Sequence, residues 1–214
     1  MSARIAIINY GMGNLRSVEN ALLRVGASPK IVTEPSEVTD FEGLVLPGVG
    51  ALEDCVDGLR ASNFDDLIAG WIQEDRPFMG VCLGLQALFD VSEERHVKGL
   101  GIFPGKVVRF VSKPGFKIPH MGWNTARLEQ NDSPFWQNLD SEKDRFYFVH
   151  SYYAVPEDSE LVLTTTDYDG VFTSSIARAN TLACQFHPEK SQAKGLQIYS
   201  NFASICNQED SFAS

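Results

Sequence analysis

The sequence predicts an α/β fold, a doubly wound and mostly parallel sheet flanked by helices, with additional antiparallel strands in the second half. Three observations support this prediction. In the first half, short apolar segments are interspersed with segments whose apolar residues recur at helical spacing. Glycine-containing turns follow three of the apolar segments, as expected for loops at the carboxyl edge of a parallel sheet. The second half is richer in strand-like segments and closes with one helical pattern.

Length and composition predict a single globular domain. The chain has 214 residues, of which 43% are hydrophobic and 21% charged, and such a chain can bury a substantial core. We expect the domain to cover residues 1–207, because no linker or low-complexity run interrupts them. Residues 208–214 are expected to form a frayed C-terminal tail.

Charge and cysteine usage argue against several classes of function. The formal net charge of −10 makes nucleic acid an unsuitable main partner, because phosphate contacts need basic patches. No apolar stretch approaches the roughly 18 residues that cross a bilayer, and the N-terminus lacks a secretory signal pattern. The four cysteines show no CxxC spacing, so neither a zinc site nor a disulfide framework is expected. These features predict a cytoplasmic protein with no membrane partner and no metal.

The first half contains four predicted strands, three predicted helices and a further run, residues 83–89, that suits a helix. The first helix follows Asn14, a candidate cap, and stops before Gly26, since asparagine and glycine are typical of these two positions. We predict strands over residues 3–9, 30–33, 43–46 and 78–81. We predict helices over residues 15–25, 51–60 and 64–74.

The second half is predicted to be mostly strand. Runs of β-branched and aromatic residues, bounded by Gly, Pro, Asn or Asp, recur along it. We predict strands over residues 106–111, 118–128, 145–155, 161–167, 174–179 and 181–186. A terminal helix is predicted at about residues 193–206.

Two of the glycine-rich turns lead to different predictions about ligand binding. Gly11-Met-Gly13 follows the first strand, where a dinucleotide-binding loop would lie, but the third glycine of G-x-G-x-x-G is replaced by Arg16. The sequence therefore does not predict a nicotinamide cofactor. The turn from Pro47 to Gly50 also follows a strand, and its glycines allow a backbone N–H to face a bound group. An ordinary turn explains this second loop equally well when it is considered alone.

The segment from Gly80 to Gly84 has the pattern G-x-C-x-G, the thiol counterpart of the nucleophile elbow G-x-S-x-G. A strand-to-helix turn exposes the central residue, Cys82, at the carboxyl edge of the sheet. A helix beginning at Leu83 would favour the thiolate, and the Leu83 N–H would face a developing oxyanion. A bulky residue at either glycine would collide with the turn. The pattern predicts that Cys82 is a nucleophile for acyl transfer.

A thiol nucleophile of this kind needs a histidine that a third group orients. His96 lies in a charged stretch typical of a solvated loop, whereas His120 and His150 follow apolar segments and fit core or cavity-wall positions. His187 ends a strand, and Glu189 follows two residues later, so both side chains point the same way. The sequence therefore predicts a triad of Cys82, His187 and Glu189, whose oxyanion the Leu83 N–H and an N–H of the 48–50 loop would bind.

Three motifs in this order resemble the class I (triad) glutamine amidotransferases: Pro47-Gly-Val-Gly50, Gly80-Val-Cys-Leu-Gly-Leu-Gln86 and Gln185-Phe-His-Pro-Glu189. The resemblance covers nearly the whole chain. It implies hydrolysis of the glutamine side-chain amide to glutamate and ammonia through a thioester, without a cofactor. It assigns Cys82, His187 and Glu189 to the triad, and Val49 and Leu83 to the oxyanion hole. It implies that a further set of residues binds glutamine: Gly48, Gly50, Gln86, His150, Ser151 and Tyr152.

Four further segments are similar to one branch of this family, the glutaminase subunits of histidine biosynthesis. They are the segments 9–14, 119–124, 147–151 and 187–191. The similarity implies a heterodimer in which a cyclase subunit receives the ammonia. Asn14, Trp123 and Lys190 would then lie near the partner interface.

Three alternatives remain at this point. The chain could serve anthranilate or aminodeoxychorismate synthesis, although the segment H-M-G-W-N at 120–124 is not typical of those relatives. It could be a peptidase or γ-glutamyl hydrolase, or a regulatory subunit that binds without catalysis. We also hypothesise that the loop from Pro47 to Gly50 rests with its oxyanion N–H turned away, because its glycines permit a peptide flip.

Overall fold

A computed structural model describes residues 2–113, 115–130 and 132–209 of the chain. Its helices are α1 (Leu15–Arg24), α2 (Leu52–Ala61), α3 (Phe64–Gln73), α4 (Leu83–Gln86) and α5 (Gln192–Glu209). The strands of the first half are β1 (Arg4–Ile8), β2 (Ser28–Val32), β3 (Gly43–Gly48), β4 (Phe78–Cys82), β5 (Phe89–Ser92) and β6 (Phe103–Arg109). Those of the second half are β7 (His120–Thr125), β8 (Arg127–Leu128), β9 (Arg145–His150), β10 (Tyr152–Pro156), β11 (Val162–Asp167), β12 (Val171–Arg178) and β13 (Thr181–Cys184).

The main sheet has eight strands in the order β2-β1-β3-β4-β13-β12-β11-β8. The first five of these are mutually parallel, and β12, β11 and β8 continue the sheet in antiparallel pairs. This arrangement confirms the predicted α/β fold with a mostly parallel sheet and antiparallel additions. Strands β4 and β13 are neighbours, so residues that follow them meet at one edge of the sheet. That edge carries Cys82 after β4 and His187 after β13.

Helices cover both faces of the main sheet, and each layer has its own core. On one face, α1 and α5 pack on buried residues such as Ile5, Phe146 and Tyr199. On the other face, α2, α3 and α4 pack on residues such as Leu46 and Phe78. The central strands β1, β3 and β4 are apolar on both sides because both faces are covered, which explains their continuous apolar sequence.

Two small sheets extend this core. Strands β10, β6 and β5 form one, and β7 and β9 form an antiparallel ribbon. The prediction of a single strand over residues 145–155 is therefore wrong in detail. It divides at Ser151 into β9 and β10, which pair in different sheets. The predicted strand 118–128 likewise divides into β7, which pairs with β9, and β8, which pairs with β11.

The terminal helix α5 extends further than expected, from Gln192 through Glu209. The first two residues of the predicted frayed tail, 208 and 209, are therefore helical, while residues 210–214 lie outside the described residues. Among the described residues, no helix combines the length and apolar character needed to cross a membrane.

Candidate active site

Cys82 occupies a sharp turn at the end of β4. Its backbone has φ 55° and ψ −104°, a combination that a non-glycine residue adopts only where the surrounding structure enforces it. The flanking glycines make the turn possible. A Cβ at Gly84 would lie 2.1 Å from the Leu46 carbonyl oxygen, and one at Gly80 would lie 2.6 Å from the Gly84 carbonyl oxygen. The collision expected at these two glycines is thus explained by backbone approach.

The helix after Cys82 is shorter than the sequence predicted. Residues up to Phe89 suit a helix, but α4 ends at Gln86 and Phe89 begins β5. Phe89 pairs with Phe103 of β6, so tertiary pairing overrides the local preference. A single helical turn carries little dipole, and the prediction that a helix terminus favours the thiolate is correspondingly weakened.

His187 and Glu189 form a buried pair beside this turn. The ring Nδ1 of His187 lies 2.8 Å from Oε1 of Glu189, and each side chain is about 1% exposed. A short 3-10 turn over Pro188–Lys190 brings Glu189 back to the ring. Ser191 closes this turn by donating its hydroxyl to the His187 carbonyl and accepting the N–H of Tyr147.

The environment of His187 favours its charged form. Burial by itself lowers the pKa, but the nearby Cys82 sulfur and the Glu189 carboxylate more than offset it and raise the pKa to about 10. Nε2 of His187 and Oε2 of Glu189 are buried without a hydrogen-bond partner among the described residues. One ring nitrogen is therefore fixed by Glu189, while the other remains available for proton exchange.

Cys82 and His187 line a common cavity of about 640 Å³. Many of the residues predicted to bind substrate or partner line it too: Asn14, Val49, Gly50, Leu83, Gln86, His150, Ser151, Tyr152 and Lys190. Gly48 and Glu189 do not line it but lie next to residues that do. Trp123 is also outside the cavity wall, on β7, where it is 43% exposed and packs edge-on against Tyr147.

A buried network of amides and imidazoles supports one wall of the cavity. His120 Nδ1 lies 3.1 Å from His150 Nε2, and His150 Nδ1 lies 2.8 Å from the Tyr152 carbonyl oxygen. That oxygen also accepts Gln86 Nε2 at 3.0 Å. Gln86 Nε2 further donates to Gln185 Oε1 at 2.9 Å, and Gln185 Nε2 lies 3.6 Å from the Cys82 sulfur.

The sequence analysis did not predict that Gln185 contacts Cys82 and Gln86, and it gave His120 no specific role in the site. One signal was present, because Gln185 precedes His187 by two residues and so shares its face of an extended chain. Burial lowers the pKa of His120 to about 4 and that of His150 to about 3, so both rings are neutral near pH 7.

A strained thiol beside a buried imidazole–carboxylate pair defines an acyl-transfer site on a parallel sheet. Residues 6–205 match the family model of class-I glutamine amidotransferases, and the chain belongs to this family. Its relatives include two proteins named imidazole glycerol phosphate synthase subunit HisH. That of Syntrophotalea carbinolica is 49% identical over 207 residues, which span 94% of this chain and 100% of the relative. That of Thermosynechococcus vestitus is 50% identical over 202 residues, or 94% and 96% of the two chains.

A solved structure agrees with this fold. The structure of PurLQS from Thermotoga maritima superposes with a TM-score of 0.75, covering 98% of this chain and 100% of that one. Its sequence identity of 23% supports the fold alone. The doubly wound architecture is therefore shared beyond the range of close sequence similarity.

Proposed function

We propose that this chain is the glutaminase subunit of an imidazole glycerol phosphate synthase, and that it hydrolyses glutamine and supplies ammonia to a partner cyclase. The observation that carries the proposal is the buried His187–Glu189 pair at 2.8 Å in a cavity wall shared with the strained Cys82. Family membership and the identity of nearly half to HisH proteins agree with it. The same relatives argue against a peptidase, a non-catalytic subunit and an anthranilate-type pathway.

The first half of the reaction is thioester formation. The Cys82 thiolate attacks the side-chain carbonyl carbon of glutamine, and the developing oxyanion is stabilised by the backbone N–H groups of Val49 and Leu83. The protonated His187 then gives its Nε2 proton to the amide nitrogen as the C–N bond breaks, which releases ammonia. The raised pKa of His187 suits this step, because the ring holds the proton until the leaving group needs it.

The second half is hydrolysis of the thioester. Neutral His187 removes a proton from a water molecule, which attacks the thioester carbonyl. The C–S bond then breaks, the new side-chain carboxyl group loses its proton to solvent so that glutamate is released, and the Cys82 thiolate and the protonated His187 are restored for the next cycle. Glu189 accepts the Nδ1–H of His187 in both halves of the reaction, which fixes the tautomer of His187 and stabilises its imidazolium form. The sequence of steps needs neither a metal nor a cofactor.

The cavity wall supplies the groups that would bind glutamine. Gln86, Ser151 and Tyr152 line it on one side, and the 48–50 loop and His150 complete the binding set. The cavity volume of about 640 Å³ is larger than the volume of one glutamine molecule. We propose that ammonia departs through the space that bound glutamine does not fill. Asn14 and Lys190 line the same space, and we propose that they and Trp123 face the cyclase in a heterodimer.

We propose a cytoplasmic location. All four cysteines are free thiols, which fits a reducing compartment, and the relatives are named as subunits of a biosynthetic enzyme. This location is a proposal about the setting of the enzyme and does not affect its mechanism.

The decisive experiment measures glutamate release with this chain alone, and then with the cyclase subunit and its ribonucleotide substrate. We expect strong stimulation by the partner. Cys82→Ala should abolish the activity, while Cys184→Ala, another buried cysteine, should retain it within about threefold. Activity that depends on Cys82 but not on the partner would contradict the pathway. Activity that survives Cys82→Ala would contradict the chemistry.

A further inference from the structure

We infer that Gln185 is a positioning residue for the glutaminase reaction: its buried amide fixes the orientation of the Gln86 amide and donates a hydrogen bond to the Cys82 sulfur. The inference rests on the proposed function. It is carried by the contacts of one side chain that is 0% exposed, lies at the end of β13 and bridges two groups on separate elements.

The orientation of both amides follows from one backbone carbonyl. The Tyr152 oxygen can only accept hydrogen bonds, so the group of Gln86 that lies 3.0 Å away must be its nitrogen. That nitrogen lies 2.9 Å from the Gln185 side chain, which must therefore present its oxygen. The remaining group of Gln185, its nitrogen, then faces the Cys82 sulfur at 3.6 Å. A flip of the Gln86 amide would bring acceptor oxygens together, and a flip of the Gln185 amide would bring two donors together.

The Tyr152 carbonyl is itself held in place. It also accepts the Nδ1–H of His150, so His150 Nε2 carries a lone pair that accepts Nδ1–H of His120. His120 stacks on Tyr168 at 3.9 Å and on Phe148 at 4.8 Å between ring centroids. The acceptor that sets the amide orientations is thus held by a chain of hydrogen bonds that ends in packed aromatic rings.

Two consequences for catalysis follow. Both N–H groups of Gln86 are used inside the protein, so its carbonyl oxygen is the group it can offer to a ligand in the cavity. Because the Gln86 amide cannot rotate freely, its oxygen can accept a hydrogen bond from the substrate without a further loss of side-chain entropy on binding. The N–H of Gln185 stabilises negative charge on sulfur, both as the sulfur attacks glutamine and when the thioester C–S bond breaks.

Gln185→Met removes both contacts at nearly constant volume. We expect KM for glutamine to rise about tenfold, because Gln86 loses its fixed orientation, and kcat to fall about tenfold, because sulfur loses a donor. Alkylation of Cys82 by iodoacetamide, which enters the cavity but does not need recognition by Gln86, should slow by a similar factor. All measurements use the complex with the cyclase subunit and its ribonucleotide.

Gln185→Glu separates the two contacts and keeps the side-chain shape. Burial raises the pKa of a carboxyl at this position, so the rates are measured from about pH 7 to pH 10. Once the carboxyl is ionised it still accepts the Gln86 N–H, but its second oxygen repels the thiolate. We expect KM to stay within about threefold of the unsubstituted chain while kcat and the alkylation rate fall about tenfold or more. This variant also remains informative if Gln185→Met fails to fold.

Gln197→Met is the matched control, since Gln197 lies on α5 and its side chain donates a hydrogen bond to Asn201 of the same helix. It should leave kcat, KM and the alkylation rate unchanged within about twofold. If the Gln185 variants behave like this control in an active complex, the inference is wrong and the proposed function stands. If the unsubstituted complex releases no glutamate in a Cys82-dependent way, the proposed function itself fails. A drop in thermal stability without any change in kcat, KM or the alkylation rate would indicate a purely structural role and would also overturn the inference.

Discussion

Glu189 accepts a hydrogen bond from Nδ1 of His187 at 2.8 Å, and neither side chain is more than about 1% exposed. Burying a carboxylate costs free energy unless an opposite charge or hydrogen bonds compensate it. Here the imidazolium supplies that compensation, and the histidine gains a raised pKa from the same contact. The two residues stabilise each other's charged forms, which the proposed mechanism uses when the ring carries its proton to the leaving nitrogen.

Glu189→Gln tests this relationship directly. The amide nearly preserves shape but removes the charge, so the imidazolium becomes less stable and the wrong tautomer can form. We expect kcat for glutamate release in the complex to fall about 10²- to 10⁴-fold, while KM changes little. Glu142→Gln, at a solvent-exposed carboxylate, is the control and should stay within about twofold. A loss of less than about threefold at Glu189 would contradict its assigned role.

Gly84→Ala tests whether the nucleophile turn depends on close backbone approach. A Cβ there would lie 2.1 Å from the Leu46 carbonyl oxygen, so backbone must shift. We expect a loss of about 2–4 kcal/mol in the free energy of unfolding, measured in urea, together with lost activity. Gly70→Ala in α3 is the control, because among the described residues no atom outside its own stretch of helix lies within 4 Å of the added methyl. That variant should gain up to about 1 kcal/mol. Equal stabilities for the two variants would contradict the explanation.

The buried histidine pair predicts sensitivity to acid. Burial lowers the pKa of His120 to about 4 and that of His150 to about 3, whereas both titrate near 6.5 in the unfolded chain. Below about pH 6.5 the unfolded state therefore binds protons that the folded state does not. Their contribution to stability is complete above that pH and is lost as the pH falls towards the folded values, by about 1.4 kcal/mol per pH unit for each histidine.

Urea unfolding at several pH values between about 5 and 7 measures this slope. His120→Phe keeps an aromatic ring in the stack but removes one titrating group, so the slope should decrease by about half. The control is His96→Asn, which replaces an exposed histidine at φ 55° with a residue that tolerates this conformation. An unchanged slope in His120→Phe would show that the pair does not govern the acid response.

The parallel half of the fold could be predicted closely because its signals are local. Strand β4 is one continuous apolar run that ends at a glycine-flanked cysteine, and its expected and observed bounds differ by one residue. The division at Ser151 could not be predicted in this way. A continuous β pattern does not say which strand each half pairs with, and here β9 and β10 join different sheets.

The same distinction applies to the site. The sequence could suggest the contact between His187 and Glu189 because only one residue separates them, although a 3-10 turn over Pro188–Lys190, and not extended chain, brings the two side chains together. The contact between Gln86 and Gln185 joins residues 99 positions apart, and only the pairing of β4 with β13 brings them together. Local motifs thus indicated the nucleophile and its base, whereas the supporting hydrogen bonds required the folded chain.

Trp123→Ala tests the proposed partner face. Trp123 lies on β7 with 43% of its surface exposed, and neighbouring Met121 is 62% exposed, so this ribbon presents apolar side chains to solvent. The ribbon also leads to the cavity, since Val149, which pairs with Met121, lines its wall. Large aromatic residues dominate interface energies, because they bury much area at little entropic cost. We therefore expect Trp123→Ala to weaken binding of the cyclase subunit about thirtyfold, or about 2 kcal/mol.

Calorimetric titration of each variant with the cyclase subunit gives the dissociation constant. Leu23→Ala removes another exposed apolar side chain, 55% accessible on α1, and should leave the affinity unchanged within about twofold. The thermal midpoint of the isolated Trp123→Ala chain should stay close to that of the unsubstituted chain, because an exposed ring contributes little to the core. Equal affinity for the two variants would move the partner face away from β7. A selective loss in Trp123→Ala would instead support docking of the cyclase on the ribbon whose His120 and His150 hold the buried amide network in place.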